Sequence, residues 1–548
     1  MKVVIIGGVA GGASCAARLR RLDENAEIII LEKGNYISFA NCGLPYHVGG
    51  VIPSRSSLLL QTPEVMKARF NIDVRVNHEA VNIDRERKCV TVSSLKEGKT
   101  YEESYDVLVI ATGSSPVRPN IEGIDSERIK TVTTVDDTVR IREMVEEEEI
   151  EKVCVIGGGF IGLEMTENLV RAGKKVTLVE ASDQLMNNLD KEMSLIVLKE
   201  VKKNGVEVIL NDAVSAFEDV KEGISVKLSS GKEEKYGLVI LAIGVRPNSA
   251  LAKKAGLALG DRGGIVTDEH MRTSDPSIYA AGDAVEVKDF VSGEKTIIPL
   301  ASPANKQGRL AADNIAGFEE VYQGSQGTSI AKIFSLSAAS TGHNEKQLCR
   351  KGLVRGRDYE MVTISQSSHA GYYPGGKPMM IKVLFSLEDE KILGAQIVGE
   401  DGVDKRNDVI ATAMRLGASI RDLKELELSY APPFSSDKDP VNMAGFCGEN
   451  VLRKQASFAD YDVLEKEDVF CLDVREKGEV EAYAIPNAFN IPLGQLRERI
   501  KEVPEGRKIV VMCAAGVRAH TASRILYNHG YQDVRIYPGG ARFYRLTH

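Results

Sequence analysis

The stretch Lys152–Ser182, KVCVIGGGFIGLEMTENLVRAGKKVTLVEAS, decides the fold. Strand text runs into a turn carrying Gly157, Gly159 and Gly162, then into helix-forming text, then into a second strand that ends at Glu180. The three glycines have three tasks: a tight bend, close approach of the backbone to a pyrophosphate, and close helix–strand packing. Free N–H groups at the helix start favour an anion. Glu180, 18 residues beyond Gly162, stands where a carboxylate accepts from a ribose 2′-hydroxyl and repels a 2′-phosphate. The stretch reads as a dinucleotide site that prefers NADH, with NADPH the other candidate.

The N-terminus repeats this grammar in KVVIIGGVAGGASCAARLRRLDENAEIIILEKG, Lys2–Gly34. Gly7 and Gly12 hold two of the glycine positions, Val9 stands at the middle one, and Glu32 follows Gly12 by 20 residues. Two such units about 150 residues apart read as one for a bound flavin, FAD, and one for an exchanging nicotinamide.

Composition bounds the rest. A chain of 548 residues, 43% hydrophobic and 27% charged, has material for several cores, so three or four domains are expected. Its net charge of -8 gives no basic footprint for nucleic acid, and no apolar run reaches membrane-spanning length. Met1-Lys2 leads directly into strand text without signal-peptide anatomy, so a cytoplasmic protein is expected. The eight cysteines fit a reducing compartment, and no Cys/His spacing of metal-site type occurs, so no metal is expected.

Cys42, in Ser38-Phe-Ala-Asn-Cys-Gly-Leu-Pro-Tyr46, has Cys15 and Cys89 as its nearest companions in sequence. A lone redox thiol has two chemistries open to it: a mixed disulfide with a small thiol, or a sulfenic acid. It needs a source of thiolate, and the start of a helix at Asn41-Cys42 would favour the anion. Arg18 and Arg21, three apart on the first helix, share a face that can clamp phosphates. Cys15, Cys89, Cys154, Cys349 and Cys471 read as buried apolar filler, and Cys447 as a more open thiol. The acidic run EMVEEEEIEK, residues 143–152, reads as solvated surface.

Three further landmarks carry a family resemblance: VLVIATGSSP with Thr112 and Gly113, LVILAIGVRPN with Gly244, and SIYAAGDAVE with Asp283. In this order they resemble the two-dinucleotide-binding flavoprotein disulfide reductases. The resemblance implies FAD on Gly7, Gly12, Glu32, Lys33, Thr112, Gly113 and Asp283, and NADH on Gly157, Gly159, Gly162, Glu180 and Gly244. SFANCGLPY resembles the active-site segment of coenzyme A disulfide reductases, and Ala10 stands where oxidase and peroxidase relatives carry a histidine. This implies coenzyme A on Arg18, Arg21, Ser38, Asn41 and Gln61. It also implies tyrosines from the partner of a homodimer, Tyr372 or Tyr373 with Tyr430, that stabilise the departing thiolate.

Residues 327–446 mix strand text such as PMMIKVLFS with the helix text DVIATAMRLGA, as an α+β dimerisation domain of that family would. After a linker at 447–458, residues 459–548 restart as a small α/β domain that resembles a rhodanese. Its strand-to-helix loop Cys513-Ala514-Ala515-Gly516-Val517-Arg518 leaves four residues between cysteine and arginine, which suits a persulfide sulfur better than a phosphate. Asp473 and Arg475 match the rhodanese network beside that loop. The expected class is α/β: an FAD-binding domain (1–112 and 246–326), an NAD-binding domain (113–245), the dimerisation domain and the rhodanese domain. The expected activity is NADH-dependent reduction of coenzyme A disulfide, coenzyme A persulfide or polysulfide through Cys42, with Cys513 handling sulfane sulfur. Two readings compete: an NADH oxidase or peroxidase cycling Cys42 through a sulfenic acid, and a persulfide-responsive flavoprotein redox sensor.

Overall fold

In the computed structural model, which describes residues 1–147 and 149–548, the chain divides into two bodies, 1–183 with 205–327 and 184–204 with 328–548. Glu143, Glu146, Glu147 and Glu149 of the acidic run are exposed, and residue 148 of that run lies outside the described residues.

The first body contains two all-parallel five-stranded sheets on one plan. In the first, β1 (Lys2–Ile6) lies between β2 (Glu27–Glu32) and β3 (Val107–Ile110), with Asp73–Val76 and Ile278–Ala280 at the edges. In the second, β4 (Lys152–Ile156) lies between β5 (Lys175–Val179) and β6 (Leu238–Leu241), with Glu207–Ile209 and Ile129–Lys130 at the edges. Val3, Val4, Ile5, Val153, Cys154 and Val155 are all buried, the unbroken apolar run that a parallel sheet covered on both faces requires.

The glycine turns lead from the central strands into α1 (Ala10–Leu22) and α3 (Phe160–Arg171), and their geometry repeats. The Gly7 N–H donates to the Leu31 carbonyl and the Gly157 N–H to the Val179 carbonyl, each at 2.8 Å. Both glycines have positive φ, +99° and +106°. A Cβ at either would come within 2.2 or 2.3 Å of the Ala111 or Ala242 carbonyl oxygen. One at Gly12 or Gly162 would come within 1.9 or 1.8 Å of the Gly7 or Gly157 oxygen, so only glycine lets the helix approach the turn. Val9, by contrast, has a negative φ of −101°, so this position does not take the left-handed φ that favours glycine.

Ser114–Pro116 pairs antiparallel with Val245–Pro247, where the chain leaves the first sheet's domain and returns. Thr112 Oγ1 donates to the Asn248 carbonyl at 2.7 Å and Asn248 Nδ2 to the Thr112 carbonyl at 2.9 Å, which locks the crossing. Residues 184–204, expected within the NAD-binding domain, instead group with the second body. The reason is packing: the Asp190 N–H donates to Gln396 Oε1 at 2.6 Å, and α4 (Lys191–Lys203) buries Met193, Ile196, Val197 and Val201.

In the second body, β7 (Tyr359–Ser367) and β8 (Pro378–Ser386) form a hairpin at one edge of a five-stranded antiparallel sheet completed by Ile392–Gly399, Leu336–Gly342 and Ser329–Ile333. The hairpin tip carries Tyr372 and Tyr373. The helix Pro440–Leu452, capped by Asp439, continues through the domain end expected at 446, because its buried face, Val441, Ala444, Gly445 and Gly448, runs on without a stop signal. Phe458 already bridges to Ile536, so the connection is 453–457 and not the expected 447–458.

Beyond it lies a four-stranded parallel sheet in the order Phe489–Asn490, Phe470–Asp473, β9 (Ile509–Met512), Val534–Ile536. This domain is docked on the antiparallel sheet's domain, as so short a connection predicts. Arg355 reaches Asp460 Oδ1 at 2.6 Å and the Phe458 carbonyl at 2.8 Å, and the Gly539 N–H donates to Thr363 of β7 at 3.2 Å. Among the described residues no helix is long and apolar enough to cross a membrane.

Candidate active site: two cysteine centres

The Cys42 centre is stitched to the first glycine turn. Ser38 takes a left-handed φ of +42° and its N–H donates to the Gly8 carbonyl at 2.8 Å. Its own carbonyl accepts from Leu60 N–H at 3.1 Å. Asn41–Gly43 then makes one 3-10 turn into the short helix α2 (Leu44–Val48), whose Leu44, Pro45 and Val48 are buried, which leaves Asn41 and Cys42 exposed. No hydrogen bond reaches Cys42 Sγ among the described residues. The helix start is where the sequence placed it, but the net push on the thiol is the reverse of the activation expected from a helix dipole. Although Cys42 has an open side, the protein packed behind it raises its pKa, and Glu164 and then Asp283 add to the rise.

Glu164, on α3, was passed over by the sequence reading. Burial pushes its carboxyl up to about 7, and Tyr46 Oη donates to it at 3.4 Å. The signal available was its place two residues after Gly162, on the helix that opens the second dinucleotide turn. Asp283 is raised by burial, partly offset by Ser114 Oγ, which donates to it at 2.9 Å.

Glu32 accepts from Gly8 N–H at 2.9 Å and Gly34 N–H at 2.7 Å, and Glu180 accepts from Gly158 N–H at 2.6 Å and Ser182 N–H at 2.8 Å. Both acids thus close their glycine turns in the same way, while Lys33 is exposed. Among the described residues, none beyond the immediate chain neighbours comes within 4 Å of where a Cβ would stand on Gly113, Gly159 or Gly244. These open, backbone-lined cradles fit dinucleotides.

The expected phosphate clamp is not preformed. Arg18 is committed to Asp313 at 2.7 Å, and Arg21 lies over the Phe70 ring at 5.4 Å, so the two arginines serve different partners. Arg20 between them is buried and donates to the carbonyls of Phe70, Asp23, Glu24, Ala26 and Asn71, a structural cap. Gln61 Oε1 is a buried acceptor with no hydrogen-bond partner among the described residues. Tyr372 Oη and Tyr430 Oη are 2.8 Å apart and exposed, whereas Tyr373 packs edge-on against His369 at 5.5 Å. The geometry separates two tyrosines that the sequence could not.

The Cys513 centre is the opposite. The thiol is 2% exposed, and the Gly516 N–H, at φ +116°, donates to Sγ at 3.0 Å. The loop's outward carbonyls are tied down by the helix Gly540–Thr547: Ala541 N–H donates to Cys513 C=O at 2.7 Å and Arg542 N–H to Ala514 C=O at 3.1 Å. A Cβ on Gly540 would strike the Cys513 carbonyl at 2.4 Å. Arg475 forks onto Asp473 at 2.6 and 2.9 Å, as the network reading expected. Arg518 forks onto Glu479 at 2.6 and 2.7 Å, a partner the sequence did not reveal.

Of the other cysteines, Cys15, Cys89, Cys154 and Cys471 are buried as expected, and burial pushes Cys15 and Cys471 up to about 12. Cys349 is exposed, contrary to expectation, on the outer face of the short helix Glu345–Arg350. Cys447 is half-buried and pushed up to about 11, so it is less open than its position suggested. The acidic trio Asp190, Glu192 and Glu345 is filled by the buried ammonium of Lys382, 2.8 Å from Asp190 and 2.5 Å from Glu192.

Residues 1–308 match the family described as pyridine nucleotide-disulphide oxidoreductase, residues 328–439 its dimerisation domain, and residues 461–544 the rhodanese-like domain. The chain belongs to the pyridine nucleotide-disulphide oxidoreductase family and is an oxidoreductase that carries a rhodanese-like domain. It is 36% identical over 446 residues to the coenzyme A disulfide reductase of Staphylococcus epidermidis, a match spanning 81% of this chain and 99% of that one. Among solved structures, the reduced CoADR-RHD of Bacillus anthracis matches with a TM-score of 0.95 and 48% identity over 100% of this chain and 98% of that one. A NAD-dependent persulfide reductase from A. fulgidus matches with a TM-score of 0.94 and 40% identity over 99% and 100%.

Proposed function

We propose that the chain is an NADH-dependent FAD flavoprotein that reduces coenzyme A disulfide, coenzyme A persulfide or polysulfide in the cytoplasm. The observation that carries this reading is the lone, exposed Cys42 beside the first dinucleotide turn, in a chain that also holds a second thiol in a sulfur-sized cradle. The relatives' names favour coenzyme A and persulfide as substrates.

FAD, held by Gly7, Gly12, Glu32, Lys33, Thr112, Gly113 and Asp283, would supply the relay of two electrons from NADH to sulfur. NADH would lie over Gly157, Gly159, Gly162 and Gly244 with Glu180 on its ribose. Cys42 attacks a sulfur of the incoming disulfide; a mixed disulfide with coenzyme A forms and one thiol leaves. Two electrons originating from NADH break that bond, a proton is taken up, and coenzyme A thiol departs while Cys42 returns as thiolate. With coenzyme A persulfide the second product is hydrogen sulfide. Arg18, Arg21, Ser38, Asn41 and Gln61 line the coenzyme A side; Gln61 Oε1 offers a buried acceptor, and Arg18 must share its charge with Asp313. Tyr372 and Tyr430, whose hydroxyls already pair, would reach the thiolate from the second copy of a homodimer. Cys513, with Ala514, Ala515, Gly516 and Val517 around it and Arg518 at the loop's end, carries sulfane sulfur.

The test is anaerobic NADH consumption with coenzyme A disulfide and with coenzyme A persulfide, counting sulfide per NADH, in the parent and in Cys42→Ser and Cys513→Ser. One sulfide per NADH, lost with Cys42→Ser, supports the reading. NADH consumption that begins only when oxygen is admitted sinks it.

A further inference from the structure

The Cys513 loop contains one cation, Arg518, and that cation is already paired. Ala514, Ala515 and Val517 bring no charge, and Val517 is 65% exposed. Both terminal nitrogens of Arg518 are spent on Glu479. Glu479 is fixed in turn: its Oε2 accepts from Glu476 N–H at 3.1 Å, and Arg475, itself locked on Asp473, donates to its carbonyl at 3.4 Å. The ion pair with Arg518 holds the Glu479 carboxyl down to about 2, so it is charged at every working pH. The Arg518 charge is thus matched by the Glu479 carboxylate at the loop's edge.

We infer that Glu479 is a specificity-determining residue that cancels Arg518 and makes the Cys513 loop take sulfur from alkyl persulfides while rejecting dianionic donors such as thiosulfate. This rests on the reading of Cys513 as a sulfur carrier given above. The step is the same for either donor: the Cys513 thiolate attacks the outer sulfur, a Cys513–sulfur bond forms, the donor's S–S bond breaks, and the thiol or sulfite leaves with the electron pair. What differs is the charge beside the transferred sulfur: thiosulfate carries both of its charges there, whereas the carboxylates of a peptide persulfide lie away from its sulfurs. A thiolate-sized donor meets the backbone N–H groups and the apolar Val517, whereas a dianion needs an uncommitted cation, and the fork on Glu479 removes it.

The experiment uses the full-length holoprotein, with cyanide accepting sulfur from Cys513 as thiocyanate, and glutathione persulfide or thiosulfate as donor. Glu479→Gln, which keeps shape and frees the Arg518 charge, should raise kcat/KM for thiosulfate on the order of tenfold or more and leave glutathione persulfide within about twofold. The gain should shrink with salt and vanish in the double variant Glu479→Gln/Arg518→Gln. Arg518→Gln alone, which leaves the Glu479 carboxylate without its partner, should lower thiosulfate use further; it tests the idea even if Glu479→Gln folds poorly. NADH-driven reduction of coenzyme A disulfide serves as the folding control. Equal effects on both donors, or none on either, overturn the inference. Failure of the parent to take sulfur from both donors removes the sulfur-carrier reading itself, and the inference with it.

Discussion

Cys42 and Cys513 are both single thiols, yet the chain surrounds them in opposite ways. Cys513 is buried, receives an N–H on its sulfur, and sits in a loop whose carbonyls are bound by a neighbouring helix. Cys42 is exposed, receives no hydrogen bond among the described residues, and is pushed away from its anion by burial and by Glu164 and Asp283. A thiol that stores sulfur can be preorganised by its own loop. One that passes electrons must stay reachable by substrate and cofactor, so its activation has to come from groups that arrive. In the proposed function, the difference separates a holding site from an exchanging one.

The largest break of that comparison is Cys42→Ser, which should lower NADH-dependent reduction of coenzyme A disulfide by on the order of a thousandfold or more, since the exchanging thiol has no substitute. Cys513→Ser should leave that reaction within about threefold; steady-state rates of both variants decide. Next comes Gly540→Ala. The added methyl meets the Cys513 carbonyl, and sulfur loading of Cys513 should fall by roughly tenfold to a hundredfold, with about 1–3 kcal/mol of local strain, while coenzyme A disulfide reduction persists. Mass spectrometry of Cys513 after exposure to a persulfide checks it.

A sharper probe of the exchanging site sets Tyr372→Phe against Tyr373→Phe. The first breaks the hydroxyl pair with Tyr430 and should cost about tenfold in kcat for coenzyme A disulfide, and the second should stay within about twofold. The smallest effect is a pH dependence. The Glu164 carboxyl is raised in the folded chain to about 7, so the folded state binds the extra proton and its stability contribution is lost as pH rises from the ordinary carboxyl range through about 7. Glu164→Gln should therefore flatten the fall in Tm between those limits. It should also speed alkylation of Cys42 above neutral pH, because one of the carboxylates that raise the thiol is gone. An unchanged Tm profile would remove Glu164 from the account.

Local signals carried much of this into the sequence. Gly12 and Gly162 are dictated by collisions with the carbonyls of Gly7 and Gly157, five residues back, so spacing reveals them, whereas Gly7 and Gly157 meet the distant Ala111 and Ala242 carbonyls and are legible through their positive φ in a tight turn. Glu32 and Glu180 close strands that any strand–turn–helix reading can find. What stayed hidden depends on contacts between distant segments: Arg18 meeting Asp313, Arg518 meeting Glu479, Tyr46 meeting Glu164, and Tyr372 meeting Tyr430 across 58 residues. The end of the helix Pro440–Leu452 was missed because the change of text after Phe446 marks a new sequence pattern and not a break in the buried face. Cys349 was misplaced for a related reason: a lone cysteine in helix text does not say which face it occupies.

The division of labour between the two thiols is tested most directly by trapping. Full-length Cys42→Ser and Cys513→Ser would each be mixed anaerobically with coenzyme A persulfide without NADH, digested, and both cysteine peptides weighed. The account predicts an added sulfur atom on Cys513 in the first variant and a coenzyme A mixed disulfide on Cys42 in the second. Coenzyme A attached to Cys513, or sulfane sulfur held stably on Cys42 with none on Cys513, would contradict it.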